Sequence, residues 1–223
     1  MELNGLLLIN KPLGISSFDV IRVLRRQTGV RKIGHAGTHD PLASGLMLLL
    51  FGRGCKQAEL LTKQDKSYEA QITLGYNSTT GDNEGDKLPV SDRIPSLDEV
   101  LSAIAQLTGY ITQTPSKYSA IKIDGKEAYK RARAGEEVKM PSRQVTVHSN
   151  ELISYNYPVI ELNSRVSSGT YIRSLAEDLG SILGTGGYLT GLVRTKVGDY
   201  DLVNAQVLDE VDFGVAEQHL LDI

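Results

Sequence analysis

The order of apolar and polar positions along the chain predicts a core built from long strands. Continuous apolar runs over residues 5–10 and 45–51 are typical of strands that are buried on both faces. Alternation over residues 66–76 predicts a strand with one buried face. Two further strands are expected at residues 144–156 and 159–167.

Helices are predicted where an N-terminal capping signal precedes apolar residues at helical spacing. Ser16 with Asp19, and Ser96 with Glu99, form the pattern of a capping box and begin two such helices. A third helix is expected after residue 171, with Gly180 as its end.

Polar stretches separate these elements. Residues 77–92 are rich in Asn, Asp, Gly, Ser and Thr and predict a mobile loop. Residues 118–126 predict a hairpin with an Asp-Gly turn. A basic helix is expected over residues 127–134, ended by Gly135.

The composition is that of an ordinary globular protein. With 223 residues, 40% of them hydrophobic, the chain can bury a core as one large domain or two small ones. Its single cysteine, Cys55, excludes an internal disulfide framework and suits a reducing compartment. We see no signal peptide and no apolar run of membrane-spanning length, so a cytoplasmic protein without membrane contact is expected.

The net charge of −3 conceals a segregation of charge along the chain. Residues 11–35 carry six Lys or Arg against one Asp, and residues 115–145 carry eight against four acids. The tail from Asp199 onward has seven acids and no Lys or Arg. Such segregation would let one face attract phosphates, although charge runs are also common on solvated faces.

A stiff polar loop from Lys32 to Gly45 lies between two apolar runs. At its centre, Asp40 stands between Gly37, which permits a tight backbone, and Pro41, which fixes its own φ and biases Asp40 away from helix. A carboxylate held in one orientation is what a nucleophile or general base needs. Asp-Pro is equally common in simple turns, so the residues alone leave a turn and an active site equally open.

A metal site is the weaker interpretation of the two histidines in this loop. His35 and His39 are four residues apart, but they lie on a Gly/Pro loop rather than on a helix. No further ligand follows at a metal-binding spacing. We therefore expect no metal.

The loop resembles a motif of the TruB family of tRNA pseudouridine synthases. Residues 34–45 read Gly-His-Ala-Gly-Thr-His-Asp-Pro-Leu-Ala-Ser-Gly, similar to the family pattern G-H-x-G-T-L-D-P-x-A-x-G. Further elements of the family follow in order. They are Lys-Pro-Leu-Gly-Ile-Ser-Ser at 11–17, the Tyr-Ser-Ala block at 118–135, Gly-Thr-Tyr-Ile-Arg at 169–173 and Leu-Val-Arg-Thr-Lys-Val-Gly at 192–198. The chain departs from the family at His39, usually apolar, and at Val193, usually Arg.

The resemblance implies an α/β (α+β) fold with a mixed, largely antiparallel sheet, flanking helices and a central active-site cleft. Residues 1–223 would form one pseudouridine synthase catalytic domain. Bacterial members usually carry a further C-terminal RNA-binding module called PUA, and none is expected here because the chain stops at Ile223.

The resemblance also implies catalytic roles. Asp40 matches the nucleophile, and Arg173 matches the arginine that pairs with it. Tyr68 matches the tyrosine that stacks on the target uracil and helps to remove the C5 proton. Tyr171 and Leu192 match residues that line the uracil pocket. Whether the carboxylate attacks the ribose or the base stays open.

The substrate implied is uridine 55 in the TΨC loop of tRNA, bound through the T-arm by a monomer, with no cofactor. His35 matches the histidine that fills the space left by the flipped-out uridine. Lys11 and the arginines of the first helix are expected to contact phosphates. Lys122, Lys126 and Arg133 are expected to do the same.

Two other functions compete with this one. A tRNA-binding or tRNA-folding protein without catalysis is suggested by the absent module, His39 and Val193. A hydrolase that uses Asp40 would need a second catalytic carboxylate in a matching motif, and the sequence has none. For His39 itself we expect packing outside the pocket; the alternative is a protonated imidazole that lowers the pKa of Asp40.

Overall fold

The computed structural model describes residues 3–119, 121–123 and 125–223, with the side chain of Arg133 excepted. The strands are β1 (Gly5–Lys11), β2 (Ile33–His35), β3 (Ala43–Phe51), β4 (Lys66–Leu74), β5 (Tyr76–Ser78), β6 (Lys87–Pro89), β7 (Gly109–Gln113), β8 (Lys122–Ile123), β9 (Lys126–Glu127), β10 (Arg143–Asn156), β11 (Val159–Val166), β12 (Gly187–Val197), β13 (Tyr200–Asp201) and β14 (Gln206–Val207). The α-helices are α1 (Ser17–Thr28), α2 (Ala58–Thr62), α3 (Leu97–Gln106), α4 (Ala128–Arg133), α5 (Ile172–Leu183) and α6 (Phe213–His219). Short 3-10 helices cover Gly52–Gln57, Leu202–Asn204 and Leu208–Glu210.

The chain divides into two compact units. The outer unit comprises Met1–Glu69 and Gly191–Ile223, and the middle unit comprises Ala70–Thr190. Strands β4 and β12 contribute residues to both units.

The outer unit is built on strands in the order β14-β1-β3-β12, with β2 on β3 and β13 on β12. β1 pairs with β3 antiparallel, and β12 and β14 each pair parallel to a neighbour. One face of β1 and β3 packs on α1, through Val20 and Leu24, and on α6. The other face forms a second cluster that includes Leu48 and Leu61. Because both faces are covered, the two strands read as continuous apolar runs in the sequence.

The middle unit has its strands in the order β4-β11-β10-β7. β10 pairs antiparallel with β11 and with β7. The buried residues Val100 and Ile104 of α3, and Leu175 and Leu179 of α5, contribute to its core. A mixed sheet with flanking helices confirms the predicted α+β class.

The capping boxes are confirmed at both predicted helix starts. Ser16 and Asp19 exchange side-chain and backbone hydrogen bonds at the start of α1, and Ser96 and Glu99 do so at α3. The predicted end of the third helix at Gly180 is wrong, because α5 continues to Leu183. Gly180 serves close packing instead: a Cβ there would lie 2.1 Å from the backbone nitrogen of Gly187.

Residues 77–92 are not a simple mobile loop. Two short strands, β5 and β6, pair antiparallel there, and Asp82 between them is buried. The predicted hairpin at 118–126 is partly visible as β8 and β9, while Ala120 and Asp124 lie outside the described residues. Among the described residues, no helix is long and apolar enough to cross a membrane.

Candidate active site

In the outer unit, the loop that carries Asp40 is tied to the start of α1. Ser17 Oγ accepts a hydrogen bond from the backbone nitrogen of His39 at 2.8 Å and donates to its carbonyl oxygen at 3.2 Å. The backbone nitrogen of Gly14 donates to the carbonyl oxygen of Pro41 at 2.8 Å. Both residues that flank Asp40 are therefore bonded to the preceding turn and helix. Asp40 itself is half-buried, which suits a fixed carboxylate.

Lys11, the last residue of β1, has 0% of its surface exposed. Its Nζ donates to the carbonyl oxygens of Pro12 at 2.9 Å and Ile15 at 2.7 Å. Burial lowers the pKa of Lys11 to about 8, and the nearby charge of Asp40 opposes that shift. With no exposed surface and two carbonyl acceptors, the ammonium gives no support to the predicted phosphate contact of Lys11, which stays a prediction. The residue holds the 12–15 turn and puts a positive charge near Asp40.

His39 has a buried imidazole. Its Nε2 lies 3.1 Å from the carbonyl oxygen of Leu46. Burial, with the positive charge of Arg194 second, lowers the pKa of His39 well below its usual value. A neutral ring must donate through Nε2 to that oxygen, since a carbonyl only accepts. Burial therefore favours the neutral ring over the alternative in which a protonated His39 acts on Asp40.

Arg194, which the sequence interpretation did not select, is buried beside the same carbonyl. Its Nε donates to the carbonyl oxygen of Leu46 at 2.8 Å, so Leu46 accepts from Arg194 and His39 together. Burial lowers the pKa of Arg194, and its hydrogen bond and charge interaction with Tyr68 oppose the shift. Within the described part of the chain its Nη2 has no acceptor. The guanidinium therefore joins β3, at Leu46, to the side chain of Tyr68.

The other predicted site residues of the outer unit lie near this loop in the strand pairing. Leu192 on β12 is the register partner of Ala43, three residues after Asp40. His35 ends β2, half-buried, and burial lowers the pKa of its imidazole. Tyr68 is half-buried on β4 and contacts Arg194 as described. The structure brings Tyr68 and Arg194 together with the Asp40 loop in one unit.

In the middle unit, Arg173 forms a buried ion pair with Asp82. Nη1 of Arg173 lies 3.0 Å from Oδ2 of Asp82, and the two side chains are only 7% and 3% exposed. The same guanidinium donates to the carbonyl oxygens of Thr80 and Tyr118, each at 3.3 Å. Three acceptors from two loops thus fix its orientation at the start of α5. No local pattern marks Asp82, because residues 77–92 contain several acids with similar neighbours.

Tyr171 immediately precedes α5 and is held by its backbone and its ring. Its backbone nitrogen donates to Oε1 of Gln113 at 2.7 Å, and its carbonyl accepts from Nε2 of Gln113 at 3.0 Å. The guanidinium of Arg143 lies 4.6 Å from the ring centroid, a cation–π distance. Tyr171 is therefore rigid, as a pocket-lining aromatic requires.

The predicted basic segment of the middle unit offers exposed cations. Lys122 and Lys126 lie on the short strands β8 and β9 and are exposed. Arg133 ends α4, and its side chain lies outside what the structure describes. Among the described residues, no group of three or more His, Cys, Asp or Glu is placed to hold a metal ion.

Comparisons with known proteins show the family of the chain. Residues 25–172 match the N-terminal domain of the TruB family pseudouridylate synthases. The chain is 46% identical to tRNA pseudouridine synthase B of Cupriavidus metallidurans over 215 residues, which are 95% of this chain and 68% of the relative. It is 45% identical to tRNA pseudouridine synthase B of Burkholderia pseudomallei over 97% of this chain and 72% of that protein.

A solved structure shares the fold at lower identity. A chain in the crystal structure of a Cbf5-Nop10-Gar1 complex superposes with a TM-score of 0.73 at 23% identity, over 96% of this chain and 58% of that one. At this identity the likeness concerns the fold alone. The family match and the 46% identical relative are the stronger findings, and by them the chain belongs to the TruB family of pseudouridylate synthases, which are isomerases.

Proposed function

We propose that this chain is a tRNA pseudouridine synthase whose target is uridine 55 in the TΨC loop. The reaction breaks the C1′–N1 bond of the uridine, turns the detached uracil and forms a C1′–C5 bond. The proton on C5 leaves to solvent and N1 takes up a proton, so the product is an isomer of the substrate. Residues 1–223 would act as one catalytic domain on the T-arm of tRNA, as a monomer in the cytoplasm.

Asp40 is proposed as the nucleophile, at C1′ of the ribose or at C6 of the base. Nucleophilic catalysis needs an ionised carboxylate that is aimed before the substrate arrives. The loop is tied to Ser17 and Gly14, and the ammonium of Lys11 adds a nearby positive charge. Arg173 is proposed to pair with the same carboxylate in the working enzyme, which would keep it ionised against anionic RNA.

Tyr68 is proposed to stack on the uracil and to help take the C5 proton after the base has turned. Its contact with the buried Arg194 supports a fixed position for the ring. Tyr171 and Leu192 would line the uracil pocket. His35 would fill the space that the flipped uridine leaves, and a neutral, half-buried imidazole is well suited to stacking. Lys122, Lys126 and Arg133 would contact phosphates.

The observation that carries the proposal is the Asp40 loop within a TruB family chain. A plain Asp-Pro turn would need neither hydrogen bonds on both sides of Asp40 nor a fully buried lysine beside it. Burying the lysine ammonium costs desolvation energy, and a buried charge with a lowered pKa beside a carboxylate supports a functional site.

Tritium release tests the proposal. An unmodified tRNA transcript that carries [5-³H]uridine is incubated with the wild-type chain and with Asp40→Asn. We expect release by the wild type and none by Asp40→Asn, with tRNA binding retained. Binding without release by either protein would favour the non-catalytic tRNA-binding alternative instead.

A further inference from the structure

An exposed aromatic side chain stands beside the Asp40 loop with no protein core to cover it. The chain has three phenylalanines. Phe51 is fully buried and Phe213 packs on the outer-unit core, whereas Phe18 is 57% exposed. Leu13, in the turn that precedes α1, is 67% exposed. Large apolar side chains exposed next to a functional loop mark a candidate binding surface.

A hydrogen bond between their neighbouring residues places Phe18 near Asp40. Ser17, the preceding residue, is hydrogen-bonded to His39, the residue before Asp40. The hydrogen bond between Ser17 and His39, with one peptide link on each side, limits the distance between the Cα atoms of Phe18 and Asp40 to about 15 Å. Leu13 is tied in the same way, because its neighbour Gly14 bonds to Pro41. A nucleotide adjacent to one bound at Asp40 can cover that distance.

The charges around Phe18 are complementary to RNA. On α1, Arg22 and Arg25 are four and seven residues after Phe18 and therefore lie within about 40° of it around the helix axis. Both are exposed, and the guanidinium of Arg22 lies 6.0 Å from the centroid of the Phe18 ring. Asp19 is the one acid of the helix, and it is engaged by Ser16 and Arg22. An aromatic ring amid arginines is the usual platform for an unpaired base on a phosphate backbone.

We propose that Phe18, supported by Leu13, stacks on an unpaired base next to the target uridine, while Arg22 and Arg25 bind the adjoining phosphates. The proposal rests on the function proposed above, because flipping one nucleotide out of a folded loop leaves its neighbours without a stacking partner. A flat apolar ring at the mouth of the site replaces that partner. Phe18 is thus a determinant of RNA binding and not a catalytic residue.

The test uses the absence of tryptophan from the chain. Phe18→Trp makes residue 18 the only indole, so its fluorescence reports directly on stacking. Val203→Trp is the matched control, because residue 203 is 83% exposed and lies in the acidic C-terminal tail. The probe is an RNA hairpin with the T-arm sequence, and Phe18→Ala measures the contribution of the ring to affinity.

We expect the hairpin to quench the indole at position 18 and to leave that at 203 unchanged. Phe18→Ala should raise the Kd for the hairpin roughly 5- to 150-fold, the loss of one base stack. Phe18→Trp should bind at least as tightly as the wild type, and Val203→Ala should stay within about twofold. Because residues 18 and 203 are exposed, these variants should retain the far-ultraviolet circular dichroism of the wild type.

Unquenched fluorescence at position 18 with an unchanged Kd for Phe18→Ala would overturn the inference, even in a wild type that releases tritium from tRNA. Quenching that depends on protein concentration without RNA would overturn it too, since the face would then bind a second copy of the chain. Failure of tritium release by the wild type would instead count against the proposed function, while RNA quenching at position 18 would still support a base-stacking surface.

Discussion

Replacing Asp82 by Asn tests whether the buried acid fixes Arg173. Oδ2 of Asp82 accepts from Nη1 of Arg173 at 3.0 Å, while Oδ1 accepts from the backbone nitrogen of Glu84 at 3.0 Å and the hydroxyl of Thr80 at 2.5 Å. Asn has one acceptor end and one donor end. Either its amide nitrogen faces the guanidinium, or it faces the backbone N–H of Glu84. Asn therefore leaves at least one buried donor unsatisfied in both orientations.

The expected loss of stability is large because neither partner reaches water. Breaking a buried ion pair by removing one charge costs about 3–5 kcal/mol. We expect Asp82→Asn to lower the free energy of unfolding in urea by about 3 kcal/mol, since part of the hydrogen bonding survives. Asp86→Asn in the same segment is the control, because Asp86 is exposed and should change stability by less than about 0.5 kcal/mol.

Single-turnover kinetics distinguishes an effect on the orientation of Arg173 from an effect on the stability of the fold. In single-turnover tritium release at a temperature where both variants are folded, Asp82→Asn should lower the rate at saturating enzyme at least about tenfold and change the Kd for tRNA little. Equal unfolding free energies and equal rates for Asp82→Asn and Asp86→Asn would refute the reasoning that Asp82 positions Arg173.

Three further predictions follow from the buried groups. Burial, and secondly the charge of Asp178, raise the pKa of Glu177 to about 6, so the folded chain binds this proton more tightly than the unfolded chain. Glu177→Gln should therefore be more stable than the wild type by up to about 2 kcal/mol above pH 6 and should lose that advantage below about pH 4.5. Urea titrations at several pH values measure the two free energies of unfolding. His39→Leu should keep the wild-type ratio of activities at pH 6 and 7.5, because burial favours the neutral imidazole. The lost hydrogen bond to Leu46 should cost about 1 kcal/mol of stability. A pH–activity profile that is flatter in the variant than in the wild type would contradict this. Lys11→Met should leave the salt dependence of tRNA binding unchanged, because Lys11 is buried. Arg25→Gln, at an exposed arginine, should reduce the slope of log K against log salt by about one. A reduced slope for Lys11→Met would instead support Lys11 as a phosphate contact.

Local signals in the sequence predicted local structure well. The capping boxes at Ser16 and Ser96 depend on residues three apart, and both are present. The apolar run at 45–51 predicted the central buried strand because its composition already reflects two covered faces. The family motif identified the Asp40 loop, whose packing on α1 the structure adds.

Some features depend on packing and burial that no pattern of residue types marks. Gly180 was expected to end a helix, but its missing side chain makes room for the backbone at residues 186–187. Lys11 was expected to contact phosphates, yet two carbonyls accept from its ammonium and none of its surface is exposed. Asp82 and Arg194 acquire their importance from partners about 91 and 148 residues away, and no local pattern marks such pairs.

The most direct measurement maps pseudouridine in an unmodified tRNA transcript after incubation with the wild-type chain or with Asp40→Asn. We expect one new pseudouridine, at uridine 55, formed by the wild type and absent with Asp40→Asn. A transcript with cytidine at position 55 should remain unmodified. Pseudouridine formed by Asp40→Asn would contradict the role of Asp40 as nucleophile, and pseudouridine formed by the wild type only at another uridine would contradict uridine 55 as the target.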